Sequence, residues 1–377
     1  MISEEELRQS AINLGVPLPY IEKDYIMGWL LWGVFSDPFL QKTLILKGGN
    51  CLRKIYYPDT RFSDDLDFTS LKLEDSSTLL ARVNAMCKVV TESTGIPFTA
   101  QIKQKSTPQE GAEAVDLRIY FNGLAGDSSM SMKVKFDISE YEKIVLPVQK
   151  HPVIHPFSDS ANCAIYADTY SLEEVLAEKL RSWIQRTRSR DLFDVVKIVE
   201  SKTIPISKRQ ILRAFMEKTI FKNIPIAGKQ EMLFENKFAL VERSWIETII
   251  CPSNALIVAK SAIITFKEFI NALFDEQNLQ ALGLQTGSMS GYRSPLASEM
   301  RELIIQAGKE RKLLRFDYPP NGARDIEPYS FRYSNGKEHF YGFDRTRGQH
   351  IKRFSLDKIL GISIMPEVFQ PRWIVEF

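Results

Sequence analysis

Apolar residues recur at helical spacing from Pro19 to Phe35, with Glu22, Lys23 and Asp24 in the first turn and Pro38 beyond the end, which predicts a buried helix. The run TLILKGG then reads as a buried strand broken by glycine, and DLDFTS as a second strand. Helical periodicity returns in SSTLLARVNAMCKVVTEST and stops at Gly95. AVDLRIYFNG and MSMKVKFDIS alternate apolar with polar residues, the pattern of two paired strands around a glycine-containing turn. The first half of the chain therefore predicts an α+β fold, a mixed sheet carrying helices.

The character changes after Asp168. SLEEVLAEKLRSWIQRTRSRDLFDVVKIVES predicts a long amphipathic helix or a close helix pair, opened by a capping box of Ser171 with Glu174. Helical patterns continue from Lys208 to Leu282. GLQTGSMSGYRSP, residues 283–295, is rich in Gly and Ser without an apolar period and reads as a linker. One more helix follows, and then short alternating runs separated by PPNG, SNG and TRG, which predict a small β-barrel. The expected divisions are a core at 1–200, a helical bundle at 201–282, the linker, and a barrel at 296–377.

Composition narrows this picture only a little. With 377 residues, 44% hydrophobic and 25% charged, the chain has material for two or three domains with real cores. A formal net charge of +2 means that attraction for nucleic acid must come from local clusters. Cys51, Cys87, Cys163 and Cys251 show no CxxC spacing and read as reduced thiols of a cytoplasmic protein. The N-terminus MISEEELRQS is too acidic for a signal peptide, and IMGWLLWGVF is too short for a membrane span of about 20 apolar residues. No membrane partner is expected.

The candidate chemistry lies in LKGGNCLRKIYYPDTRFSDDLDF. Asp65 and Asp67 alternate within a strand, so both carboxylates project from one face. Two acids held so close call for a cation between them, and Mg²⁺ (alternatively Mn²⁺) bound through oxygen ligands and nucleotide phosphates is the natural one. Asp137, in VKFDIS, can supply a third carboxylate from a neighbouring strand, completing a two-metal site for nucleotidyl transfer. Gly48 and Gly49 would let backbone N–H groups approach phosphate closely. Asp64 reads as an exposed or turn residue.

In EKLRSWIQRTRSRDLFD, a continuous helix would place Lys179, Arg186 and Arg190 on one face, suited to a triphosphate or an RNA backbone. Asp191 and Asp194 could orient those cations or touch the nucleotide. The plain alternative is a solvated charged face. His151 and His155, in HPVIHP, read as loop residues.

IEKDYIMGWLL, the glycine–aspartate stretch, KFDIS and EEVLAEKLRSWIQRTRSRDLFDV occur in that order and resemble the AbiEii nucleotidyltransferase family, toxin components of type IV toxin–antitoxin and abortive-infection systems. The resemblance covers roughly residues 15–200 and implies a polymerase-β-like nucleotidyltransferase fold. It implies that Gly48 and Gly49 form the glycine motif and that Asp65, Asp67 and Asp137 are the catalytic, metal-binding acids. Lys179 would bind the nucleotide and Asp191 would be an active-site acid. Asn50 stands where the family has Thr or Ser, and is expected to contact phosphate in its place. An NTP substrate, an RNA or tRNA acceptor and a cognate antitoxin follow from the same resemblance.

The segment 296–377 resembles a WYL domain, a small SH3- or Sm-like barrel, through Glu327–Pro328, Tyr341 and the run from Arg353. Tyr341, Arg345, Arg347, Lys352 and Arg353 interleave an aromatic with cations, as a site for a nucleotide or single-stranded nucleic acid does. The competing expectation for the whole chain is a catalytically idle, nucleotide-binding regulator.

Overall fold

A computed structural model describes residues 1–72, 74–106, 114–125, 131–140, 142–275, 297–334 and 337–377. Two compact units emerge, Met1–Val175 with Ser244–Val258, and Leu176–Arg243 with Ala259–Phe377. Segment 244–258, within the region read as a helical bundle, belongs to the first unit. The expected linker at 283–295 lies outside the described residues.

The first unit is built on a seven-stranded mixed sheet of order β3-β4-β5-β2-β1-β7-β6. Its strands are β1 Leu44–Lys47, β2 Asp65–Ser70, β3 Thr99–Ser106, β4 Ala114–Asn122, β5 Ser131–Ser139, β6 Gln149–Pro152 and β7 Tyr166–Thr169. β2 runs parallel to β5 and antiparallel to β1. Alternation decides which face is covered. Leu66 and Phe68, Val134, Phe136 and Ile138, and Val115, Leu117 and Ile119 are fully buried. The residues between them include Asp65, Asp67, Lys135, Asp137, Asp116 and Arg118, on the opposite face. The α+β mixed sheet expected from the pattern is present.

Helix Leu18–Ser36 is buried almost all round, as its apolar run predicts. It crosses helix Ser76–Thr94 closely at Gly33, where a β-carbon would lie 2.6 Å from Met86 Sδ and Val90 Cγ2. Two of its acids are also buried, each with partners. Glu22 accepts from the N–H groups of Leu124 and Ala125 at 2.7 and 2.9 Å. Asp24 pairs with Arg53 at 2.7 Å and Lys54 at 2.9 Å. Burial pushes the Asp24 carboxyl up, but the charges of Lys54 and Arg53 outweigh it and hold the group below its ordinary value. The four cysteines are free and buried. Among the described residues no helix is long and apolar enough to cross a membrane.

The second unit combines helices with a six-stranded sheet of order β13-β9-β10-β11-β12-β8. Its strands are β8 Ile226–Ala227, β9 Lys312–Asp317, β10 Ala323–Ser334, β11 Lys337–Asp344, β12 His350–Ser355 and β13 Leu360–Val368, all paired antiparallel. Helix Ala297–Glu310 contributes Ile304 and Ala307 to a core shared with Leu314, Phe316, Ile326, Phe340 and Phe354. The pairing forms an open row, and no closure into a barrel is found among the described residues. Edge strand β8 comes from the region read as purely helical. The C-terminal RWIVEF makes only an isolated bridge, Ser330 with Glu376.

Candidate active site

Strand register assembles the site in the first unit. Lys47 on β1 lies opposite Asp67 on β2, Asp67 opposite Asp137 on β5, and Asp137 opposite Asp116 on β4. Four strands thus carry one row of Lys47, Asp67, Asp137 and Asp116 on a single face. The next row holds Asp65, Lys135 and Arg118, paired in the same way. Asp116, Lys135 and Lys47 escaped the sequence reading. Asp116 sits in an ordinary alternating strand, and only the pairing of AVDLRIYFN with SMKVKFDIS brings it beside Asp137.

Cations divide the acids among themselves. Lys135 Nζ donates to Asp137 Oδ2 at 2.9 Å and lies 3.9 Å from Asp116 Oδ2. Burial pushes the Lys135 ammonium down, but the bond to Asp137 and the nearby charges of Asp137, Asp116 and Asp65 outweigh it and hold the group above its ordinary value. Arg118 reaches Asp116 at 3.4 Å, and Lys47, buried, pairs with Glu142 at 2.6 Å.

Gly48 ends β1 with φ +74°, and a β-carbon there would fall 2.1 Å from Asp67 Oδ2. Only glycine permits both this conformation and this approach. Gly49 faces Ser63 Oγ and Arg61 Nη2, which a β-carbon would meet at 2.8 and 2.9 Å. Asn50, expected to contact phosphate, is turned to the protein interior. Its side chain is fully buried, and its amide donates to the carbonyls of Asp65 at 2.6 Å and Ser63 at 3.4 Å. It positions the first strand acid through the backbone. Asp64 pairs with Lys23 at 3.0 Å.

Among the described residues no three His, Cys, Asp or Glu side chains converge as a formed metal cage. The donor set nevertheless fits a hard divalent ion, since Asp65, Asp67 and Asp137 are oxygen donors on adjacent strands of one face. The cradle at Gly48 keeps the Asp67 carboxylate against backbone rather than a side chain.

Lys179 and Asp191 belong to the second unit, where they are engaged with each other. Lys179 Nζ lies 2.7 Å from Asp194 Oδ2 and 3.5 Å from Asp191 Oδ1, and Arg186 grips both oxygens of Asp191 at 2.9 and 3.0 Å. Lys179 and both acids are buried. The continuous cationic face does not form. Helix Leu172–Arg186 ends at Thr187, φ +43°, and a second helix, Ser189–Ser201, starts with Arg190 in its first turn. Ser171 caps the first of these helices by accepting from the Glu174 N–H at 3.2 Å. The Glu174 carboxylate instead takes the N–H groups of Val145 and Leu146.

The C-terminal set divides by burial. Tyr341 is fully buried, so it offers no stacking face. Arg345 is held by buried Glu327 at 2.5 Å, together with Arg372 at 2.8 Å. Lys352 lies over Phe354 and Tyr318 at 5.6 Å, and Arg353 is half-buried. Arg347 alone of the five is exposed. The aromatics here build the core. His155 is likewise internal, bonded through Nε2 to Asp159 at 3.1 Å, while His151 lies in β6.

The sequence model of the nucleotidyl transferase AbiEii toxin family, type IV TA system, matches residues 29–250, more than half of the chain. No curated protein matches. Among solved structures, MenT4, a nucleotidyltransferase toxin from Mycobacterium tuberculosis H37Rv, is 20% identical with a TM-score of 0.49, over 73% of this chain and 90% of that one. JHP933 from Helicobacter pylori is 15% identical with a TM-score of 0.42, over 70% of this chain and 95% of that one.

Proposed function

The chain belongs to the AbiEii nucleotidyltransferase toxin family, and from that premise we propose that it transfers NMP from an NTP to an RNA acceptor, tRNA included, in a reaction dependent on Mg²⁺ or Mn²⁺. The observation that supports the reading most directly is the register of Asp65 and Asp67 beside Asp137 on adjacent parallel strands. Asp65, Asp67 and Asp137 would hold the divalent cation, which when bound supplies Lewis-acid polarisation of the phosphoryl oxygens and charge compensation for departing pyrophosphate.

The chain's own groups do the rest. Gly48 and Gly49, without side chains of their own, would offer backbone N–H groups to the triphosphate. Asp137, with its side chain 42% exposed, accepts the proton of the attacking hydroxyl. Asn50 fixes the start of β2 and so the direction of Asp65. The second unit's sheet, WYL-like by its sequence, would serve as a ligand- or nucleic-acid-sensing module through Arg347, Lys352 and Arg353. Tyr341 has no part in that surface. A cognate antitoxin is the expected protein partner, and abortive infection the expected setting, in the cytoplasm.

The test is transfer of label from each α-labelled NTP to total RNA by the purified protein, with and without EDTA. Metal-dependent labelling that disappears in Asp67→Asn is the expected result. NTP binding without transfer to any RNA would instead identify a nucleotide-binding regulator.

A further inference from the structure

We propose that Lys135 is the resident counter-ion of this acidic face, holding Asp137 in the metal-free protein and passing to Asp116 when a divalent cation enters. The inference rests on the metal reading above and adds a residue to it.

Lys135 and Asp137 are two residues apart on β5 and project from one face. Register sets Lys135 opposite Asp65 on one side and Arg118 on the other, with Asp116 opposite Asp137. The ammonium therefore stands among three carboxylates, bonded to one at 2.9 Å and 3.9 Å from the next. Like charges directly opposite on paired strands are destabilising, and Asp67, Asp137 and Asp116 are three in a row. A flexible cation with three donors neutralises such a row without fixed geometry.

A divalent ion taking Asp137 as a ligand competes with Lys135 for the carboxylate's charge and repels the ammonium, which now sits 2.9 Å from Oδ2. Asp116 offers the displaced charge a second seat, reached by rotation of the lysine stem. The consequence is competition. Lys135 keeps the metal-free sheet stable and lowers the affinity for the ion.

The experiment titrates Mn²⁺ into the full-length, EDTA-stripped protein and reads free Mn²⁺ by electron paramagnetic resonance. Lys135→Met should bind about tenfold more tightly, the scale of removing one nearby charge at a partly screened site. Lys133→Met, which removes an exposed lysine from the same strand, should stay within about twofold. Unchanged or weaker binding by folded Lys135→Met overturns the proposal. Should Lys135→Met not fold, the wild-type protein decides. Its Lys135 ammonium signal, assigned by its loss in Lys135→Arg, should shift on addition of Mg²⁺, and a signal that stays fixed at saturating Mg²⁺ overturns the proposal. Asp67→Asn separates the two readings. Mn²⁺ binding unaffected by that change overturns the metal site itself, whereas binding that needs Asp67 and ignores Lys135 overturns only the counter-ion role.

Discussion

Gly48 lies so close to Asp67 that a β-carbon on the glycine would fall 2.1 Å from the carboxylate oxygen Oδ2. The glycine therefore serves the acid as well as any phosphate above it. Gly48→Ala has two costs, about 1–2 kcal/mol for an L-residue held at positive φ and displacement of a carboxylate proposed to bind the ion. We expect a lowered melting temperature and a larger proportional loss of transfer. Gly49→Ala meets only side-chain atoms, of Ser63 and Arg61, at ordinary φ. It should lose less transfer, as initial rates of both variants at saturating NTP would reveal.

Asp67 offers the cleanest separation of chemistry from stability. It stands beside another carboxylate, Asp137, across the β2–β5 pairing. Asp67→Asn removes a proposed ion ligand and also relieves repulsion between like charges. Transfer should fall by about a hundredfold or more, the equivalent of several kcal/mol of transition-state stabilisation. The urea midpoint without metal should stay level or rise. A variant that turned over normally would remove Asp67 from the metal site.

Lys179 illustrates how burial changes an expectation. As a solvated helix residue it could be truncated harmlessly, but its ammonium is 2.7 Å from Asp194 and both groups are buried. Lys179→Ala breaks this buried ion pair from one side, a loss typically of about 3–5 kcal/mol. Adding Asp194→Asn should restore part of the stability, because the other charge of the buried pair is removed as well. Denaturant unfolding of the two single variants and the double variant closes the cycle. Additive losses would mean that the pair is not coupled.

The sequence made the sheet's skeleton legible wherever alternation was strong. β2, β4 and β5 lie where apolar and polar residues alternate, and the buried helix lies where IMGWLLWGVF is apolar all round. Register was less accessible. That Asp116 joins Asp67 and Asp137 depends on three strand pairings, which no local pattern around Asp116 reports. The break at Thr187 was hidden because a positive φ on a threonine has no sequence mark, so Arg186 and Arg190 looked like neighbours on one face. The C-terminal aromatics misled for a different reason. Tyr341 and Tyr329 alternate with cations, as surface platforms do, yet small sheets also bury tyrosines when a hydroxyl partner exists, as Tyr329 finds in Glu327 at 2.8 Å.

His155 should give the first unit a pH dependence of its own. The ring is buried among Tyr25, Trp29 and Phe157 and bonds to Asp159. Burial, reinforced by the charge of Lys54 and opposed by Asp159 and Asp24, pulls its pKa from 6.5 down to about 4. In the unfolded chain the ring titrates near 6.5. Between those values the unfolded state holds the extra proton, so stability rises with pH across the window. The contribution is complete above about 6.5 and is lost as the pH falls toward 4, on the order of 3 kcal/mol in all. Asp24 also has a lowered pKa, but its contribution is lost only below the ordinary carboxylate value of 3.8. The two groups therefore act in separate windows. Urea unfolding of the wild-type protein at pH 7 and pH 4.5 should show the loss. His155→Phe keeps an aromatic ring at the site and removes the titrating group, so it should lower stability at pH 7 and flatten the slope between the two pH values. An equal slope in both proteins would show that other groups carry the dependence.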